Sequence, residues 1–327
     1  MPTRDIVLIG ASMGGVEALK ALVAELPPEL AATVLVVQHT SAESPALLGE
    51  ILDARGPLRA STAEDGAPLE HGRIYVAPPD RHLLLTAEGV RVVYGPRENR
   101  SRPAIDPLFR TAAVHYRSRV IGVVLTGLLG DGAAGLLAVH RCGGVAVVQS
   151  PDDAAYPEMP LRALTAVPSA QQVTLDGLAP LLARLTAEAA PEPPPVPQSL
   201  AIEARLTERA MATDDWGEVP TRPTSFTCPE CSGAIHEILG EPIRRFRCRV
   251  GHAYSADDFV AAKETGVEDA MWLAQQTLQE QAQVLETLAA EDLERGWRRN
   301  AGTYQARALE MRRAAERLLG LISALRT

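Results

Sequence analysis

The chain has 327 residues, 46% of them hydrophobic and 22% charged, which excludes a mostly disordered protein and makes two compact units with a linker the expected organisation. With 32 Lys and Arg against 41 Asp and Glu, the net charge of −9 excludes binding to nucleic acid or anionic membrane through bulk electrostatics. No apolar run approaches the roughly 18 residues of a membrane span, and residues 6–9 are too short for a signal-peptide core, so a cytoplasmic protein without membrane insertion is expected.

Four continuous apolar runs, Ile6–Ile9, Val34–Val37, Ile121–Leu125 and Val145–Val148, have the pattern of strands buried on both faces. Helical stretches at Val16–Leu26, Pro45–Ala54, Pro107–Tyr116 and Gly132–His140 alternate with them. The alternation predicts an α/β domain with a doubly wound, mostly parallel sheet and helices on both faces. Segments 73–77, 82–86 and 90–94 lack intervening helices and are expected to form an antiparallel meander beside that sheet. Residues 191–197, Pro-Glu-Pro-Pro-Pro-Val-Pro, read as a stiff extended linker, followed by a helical insert at about 200–212.

Ser255-Ala256-Asp257-Asp258 has the form of a helix start, and residues 267–290 and 297–325 read as two long helices. Tyr304, Ala308, Met311, Ala315, Leu318, Ile322 and Leu325 keep a 3-4 spacing, a seam that closes against the preceding helix as a hairpin or against a second chain. The hairpin is the plainer reading; a docking partner for these helices and the oligomeric state stay open. The expected divisions are 1–188 for the α/β domain, 189–224 for the linker, 225–255 for a small zinc-binding lobe and 256–327 for the helical hairpin.

Gly10-Ala11-Ser12-Met13-Gly14-Gly15 joins the first strand to the first helix. Small residues around a serine in a strand–turn–helix are the requirement of a nucleophile elbow, with helix-start N–H groups available to an oxyanion. Ser12 is equally a good helix N-cap, and a glycine-rich turn also suits a phosphate. His39 ends the second strand and Asp131 follows the strand that carries Leu125. Each alone has a structural reading, His39 as a satisfied polar residue and Asp131 as a cap or turn. Together they fall past the carboxyl ends of three strands that a parallel sheet brings to one edge, and nucleophile, base and orienting carboxylate are the parts of an acyl-transfer triad.

The same segments resemble the catalytic domain of the chemotaxis protein-glutamate methylesterases, the CheB type. The resemblance is carried by Ile9 to Leu19, by Val37-Gln38-His39, by Gly72 to Leu83, by Arg102 to Phe109, by Leu125-Thr126-Gly127 through Asp131-Gly132 and Gly135-Leu136, and by Met159-Pro160. It implies hydrolysis of glutamyl methyl esters on chemoreceptor-type signalling proteins, with Ser12, His39 and Asp131 as the triad and no catalytic cofactor. Some members also deamidate receptor glutamines. A catalytically weak signalling scaffold is the non-enzymatic alternative. Met13, Gly14, Leu128 and Met159 fall where oxyanion or substrate contacts are expected, and His71, His82, Arg102 and Asp106 either line the site or serve structure. The family often has Ser or Thr at Met13 and Met-Gly at Leu128-Leu129. The resemblance begins at the first catalytic strand, so control by a preceding phosphorylatable receiver domain is not expected in this chain.

Cys228, Cys231, Cys248 and His252 follow a Cys-x2-Cys-x16-Cys-x3-His spacing, that of a tetrahedral structural zinc site, with His236 as the fallback fourth ligand. The fourth cysteine, Cys142, reads as a buried thiol at a helix end. Arg244, Arg245, Arg247 and Arg249 surround the third ligand and are expected to form one solvated face rather than a nucleic-acid site.

Overall fold

The computed structural model describes residues 2–209 and 219–325. Contacts divide the chain into a unit of Met1–Phe259 and a unit of Val260–Thr327. The first begins with β1 (Ile6–Ala11), α1 (Gly15–Glu25), β2 (Thr33–Gln38), α2 (Leu48–Asp53), β3 (Arg59–Thr62), β4 (Arg73–Val76), β5 (His82–Thr86) and β6 (Gly89–Val93). It continues with α3 (Ile105–Tyr116), β7 (Val120–Val124), α4 (Ala133–Arg141), β8 (Val145–Gln149), α5 (Glu158–Ala166), β9 (Gln171–Val173), α6 (Leu175–Ala187) and α7 (Gln198–Glu208). Seven strands form one sheet in the order β3-β4-β2-β1-β7-β8-β9, and every pair in it is parallel.

Side-chain alternation along the strands builds two cores. Ile6 and Leu8 of β1 face the layer containing α3 and α4, while Val7 and Ile9 face the layer containing α1 and α6. Burial on both faces explains why these strands read as unbroken apolar runs. Residues 73–76 do not belong to a meander. They enter the parallel sheet as β4, where Ile74 pairs with Val34 on one side and Ala60 on the other. Only β5 and β6 form an antiparallel hairpin, which buries Leu83, Leu85 and Val90.

The described part of the expected linker is packed along the α/β domain. Proline lacks an N–H but keeps its carbonyl, and neighbouring donors take those carbonyls up. Ser118 Oγ donates to Pro191 O at 2.7 Å, Arg117 donates to Pro194 O, and Ala190 N donates to Pro2 O at 2.8 Å. α7 lies on α3, with Arg110 Nη2 donating to Thr207 Oγ1 at 2.9 Å and His115 paired with Glu208 at 2.7 Å. The expected insert at 200–212 is helical through Glu208, and its residues 210–212 lie outside the described residues.

A four-stranded antiparallel sheet of β10 (Thr221–Thr227), β11 (Ala234–Ile238), β12 (Arg245–Cys248) and β13 (Ala253–Ser255) completes this unit. The arginines of β12 are not one solvated face. Arg245 and Arg247 share the inward side of the strand and are each 5% exposed. Arg245 pairs with Glu203 of α7 at 3.0 Å and with Glu241 at 2.9 Å, and Arg247 lies 3.7 Å from Glu98, which also takes Arg110 at 2.6 Å. Burial works to raise the Glu98 carboxyl, but Arg110 and Arg247 hold it down at about 2. Its folded value lies below its unfolded one, so this pairing stabilises the fold fully above about pH 4.5 and is lost as pH falls toward 2. Glu98→Gln is expected to flatten stability between pH 5 and 2, measured by urea unfolding at each pH; unchanged acid sensitivity would refute the assignment.

The second unit is a helical hairpin made by α8 (Ala256–Glu294) from Val260 onward and α9 (Arg298–Leu325). Ser255 caps α8 as expected: its Oγ accepts from Asp258 N at 3.1 Å. Gly296, with φ of 81°, turns the chain between the helices. Gln275, Ala282 and Ala289 on α8 and Ala301, Ala308, Ala315 and Ile322 on α9 are buried at seven-residue intervals, and Arg312 grips Glu286 through two 2.6 Å bonds. No helix among the described residues is long and apolar enough to cross a membrane.

Candidate active site and metal centre

Parallel pairing of β1 with β2 and β7 brings the three chosen residues to one sheet edge. The turn after β1 is tight. Gly14 adopts φ of 76°, and a Cβ on Gly15 would stand 2.1 Å from Gln38 Oε1. Through that space Gln38 Nε2 donates to Ser12 O at 2.8 Å and to His39 O at 3.0 Å, joining the two loops. Ser12 Oγ lies 3.1 Å from His39 Nδ1, and His39 Nε2 lies 2.7 Å from Asp131 Oδ2. With Asp131 ionised, Nε2 carries the ring proton and Nδ1 is the acceptor facing the hydroxyl. The ring nitrogens are therefore exchanged relative to the chymotrypsin arrangement, in which Nε2 faces the serine.

Asp131 is buried and fully engaged. Oδ1 accepts from Asn99 Nδ2 at 2.8 Å, Gly132 N at 3.0 Å and Asp106 N at 3.2 Å, and Oδ2 accepts from Ile105 N at 2.6 Å as well as from His39. Burial opposes its charge, but the His39 hydrogen bond and charge, with the Ile105 and Asn99 donors, hold its carboxyl below the ordinary range. Asp106 lies beneath it, out of solvent, and burial plus the Asp131 charge push its carboxyl up to about 8. It supports the loop by accepting from Gly132 N at 3.0 Å, Gly135 N at 2.6 Å and Asn99 Nδ2 at 2.9 Å.

The other expected site residues separate. Met13 and Leu128 are exposed beside Ser12, and the Met13 and Gly14 N–H groups precede the ladder of α1, as an oxyanion site requires. Thr126 Oγ1 orders that turn by donating to Met13 O at 3.0 Å and accepting from Tyr156 N at 2.8 Å. Met159 is buried against Gly127, where a Cβ would meet its Sδ at 2.1 Å and Ser12 Cβ at 2.8 Å, so it backs the serine rather than lining the opening. His71 points away, 3.5 Å from Asp5 before β1, at the opposite end of the strands. His82 is buried between Pro96 O and Ala104 N, and Arg102 is taken up by Asp80 and by the Tyr94 ring. Neither reaches Ser12. A cavity of about 260 Å³ opens beside His39, lined by Val16, Gln38, Leu47, Ile51 and Pro79 among others.

Asn99 escaped the sequence reading. It precedes the Arg102 to Phe109 motif and holds φ of 48°, a left-handed backbone that asparagine tolerates better than most residues, and that tolerance was its only signal.

Cys228, Cys231, Cys248 and His252 converge with their ligand atoms all within 4.8 Å of one another. Cys231 Sγ and Cys248 Sγ are 3.7 Å apart, and His252 Nδ1 lies 3.5 Å from Cys248 Sγ and 3.7 Å from Cys228 Sγ. Tetrahedral zinc–thiolate bonds of about 2.3 Å put sulfurs about 3.8 Å apart, so donor type and spacing fit a zinc ion. Both turns are closed by backbone bonds, Ser232 N to Cys228 O at 2.9 Å and Gly251 N to Cys248 O at 3.0 Å. His236 lies on β11 and is not among the four. Cys142 is buried at the end of α4, where burial pushes its thiol up to about 11.

An open parallel α/β sheet with a serine–histidine–aspartate relay at its carboxyl edge defines a serine hydrolase of the α/β class. Residues 7–182 match the CheB methylesterase family, and the chain belongs to that family. A Leptospira interrogans protein named as a protein-glutamate methylesterase/protein-glutamine glutaminase is 37% identical over 182 residues, 55% of this chain and 94% of its own length. A Yersinia pestis protein of that name is 38% identical over 168 residues, 50% of this chain and 48% of its own. The crystal structure of the Thermotoga maritima CheB methylesterase catalytic domain superposes with a TM-score of 0.54 at 31% identity, covering 55% of this chain and 98% of that one.

Proposed function

We propose that this chain hydrolyses glutamyl methyl esters on methylated chemoreceptor-type proteins, with Ser12 as nucleophile, His39 as general base and acid, and Asp131 as the orienting carboxylate. The observation that carries the reading is the unbroken relay from Ser12 Oγ through the His39 ring to Asp131, at 3.1 and 2.7 Å. As Oγ attacks the ester carbonyl, its proton passes to His39 Nδ1, and the buried Asp131 charge stabilises the imidazolium. The Met13 and Gly14 N–H groups face the developing oxyanion. Collapse of the tetrahedral adduct transfers the proton to the departing methoxide, giving methanol and a glutamyl ester of Ser12. Water, deprotonated by His39, then releases the glutamate. The apolar cavity beside His39 receives a side chain flanking the target glutamate.

The relatives' names also include protein-glutamine glutaminase, which the same steps perform with ammonia as the leaving group. In methylated-receptor assays, Ser12→Ala is expected to cut methanol release by at least about 10⁴-fold. Turnover equal to the parent enzyme would overturn the reading, and parallel ammonia measurement on a glutamine substrate assigns the second activity.

We infer that Cys228, Cys231, Cys248 and His252 hold one structural zinc, because three thiolates and one imidazole leave no open position for chemistry. The small β10–β13 sheet gains from the metal stability that its core of Phe246, Tyr254 and Phe259 cannot supply alone. Metal analysis of the full chain is expected to give one equivalent of zinc, lost in Cys231→Ser; a metal-free wild type would overturn this. A cluster of metal-binding thiols rather than disulfides supports a cytoplasmic site of action.

A further inference from the structure

We propose that Asn99 is a positioning residue for the Asp131–His39 pair and that the Cys3His lobe sets it, so that metal in the lobe governs the hydrolase site. The proposal rests on the triad and zinc readings above. Its starting point is the strand that leaves the fourth ligand. Directly after His252, Ala253 N donates to Arg97 O at 3.4 Å and Ala253 O accepts from Asn99 N at 2.8 Å, so residues 97–99 extend the edge of the lobe's sheet. The knuckle itself abuts this segment. A Cβ on Gly251 would meet Pro96 Cγ at 2.9 Å, and Glu230, between the first two cysteines, lies 3.7 Å from Arg97.

Two residues further along β13, Ser255 N donates to Asn99 Oδ1 at 2.8 Å. That bond decides which way the amide faces. With Oδ1 held by an N–H, Nδ2 must point to the two carboxylates, at 2.8 Å from Asp131 Oδ1 and 2.9 Å from Asp106 Oδ2. The reversed amide would set its oxygen against the ionised Asp131 carboxylate and turn its NH2 toward the Ser255 N–H, donor against donor. Asn99 thus uses one acceptor and two donor bonds to join the lobe to the carboxylate that orients His39, and all three side chains in the cluster are buried. Loosening the lobe frees the amide, removes a donor from Asp131 and unfixes the His39 ring. Misplacing a catalytic group by about 1 Å costs roughly 100-fold in rate.

The test uses the full chain in zinc-loaded and chelator-stripped forms, wild type and Asn99→Ala, with kcat, KM and the far-downfield N–H proton resonance of the His39–Asp131 hydrogen bond as readouts. Stripping wild type and replacing Asn99 are each expected to lower kcat by about 100-fold with KM little changed and to weaken the resonance. Stripping Asn99→Ala should then cost nothing further. Because metal loss can unfold the lobe, Ser255 offers a second route with zinc in place. Ser255→Pro deletes the amide donor and should mimic Asn99→Ala, while Ser255→Ala keeps the donor and should retain the resonance. Equal fold-losses on stripping wild type and Asn99→Ala, or a resonance unchanged in every form, would overturn the proposal. Full turnover by Ser12→Ala would instead remove the esterase reading, while the resonance still reports the coupling.

Discussion

Asp131→Asn is expected to lower kcat by about 10⁴-fold while leaving the fold recognisable, read by steady-state methanol release alongside circular dichroism. The size follows from the donors around the carboxylate. An asparagine has one oxygen and one NH2, whereas the site offers N–H groups to both positions: Asn99, Gly132 and Asp106 at one, Ile105 and His39 at the other. If the oxygen keeps its three donors, the NH2 faces His39 Nε2 and forces the ring proton to Nδ1, where Ser12 needs an acceptor. If it turns the other way, three buried N–H groups lose their partner. The first outcome disables the base and strands the Ile105 N–H; the second keeps the His39 tautomer but takes away the charge that stabilises the imidazolium, and each buried bond lost costs about 1–3 kcal/mol. Activity within tenfold of wild type would remove Asp131 from the triad.

The second large effect concerns the buried charges. Arg245→Ala leaves Glu203 and Glu241 without their closest cation, and breaking a buried pair from one side costs about 3–5 kcal/mol. Burial opposes the charge of Arg245, yet the two glutamates, with Asp106, hold its guanidinium well above the ordinary arginine range. Urea unfolding followed by far-ultraviolet circular dichroism measures the loss. A second variant, Arg245→Met with Glu203→Gln and Glu241→Gln, should recover much of it, because it removes both stranded charges along with their partner. A single substitution costing under about 1 kcal/mol would show that water reaches the cluster.

The α/β domain was legible because its strands are buried on both faces and its helices are amphipathic. β4 was harder to read: Ile74 and Val76 belong to a parallel strand, but the short connection from β3 hides the crossover that usually announces one. β3, β9 and α6 escaped for local reasons. β3 and β9 are short and partly exposed, and α6 carries Pro180 inside. Ser12, His39 and Asp131 could be picked out because each ends a recognisable element. The cluster of Cys228, Cys231, Cys248 and His252 could be picked out because the spacing of its two turns is itself a geometric constraint. Asn99 and the partners of Arg245 and Arg247 carry no such mark. Alternating arginines on a strand look the same in sequence whether water or glutamate faces them, and Glu98 and Glu203 are far away along the chain.

The packed proline segment has a consequence for how this protein can be cut or recombined. Its sequence invites scission near residue 188, leaving what looks like a self-sufficient enzyme, and the Leptospira relative is spanned almost entirely by that part alone. Here the same cut strips Thr207 from Arg110, Glu208 from His115 and the Ser255 amide from Asn99. In this chain Arg110 on α3 and its partner Thr207 on α7 are interior. Grafting its lobe onto another catalytic domain, or discarding it, therefore requires rewriting the outer face of α3 as well as moving the boundary.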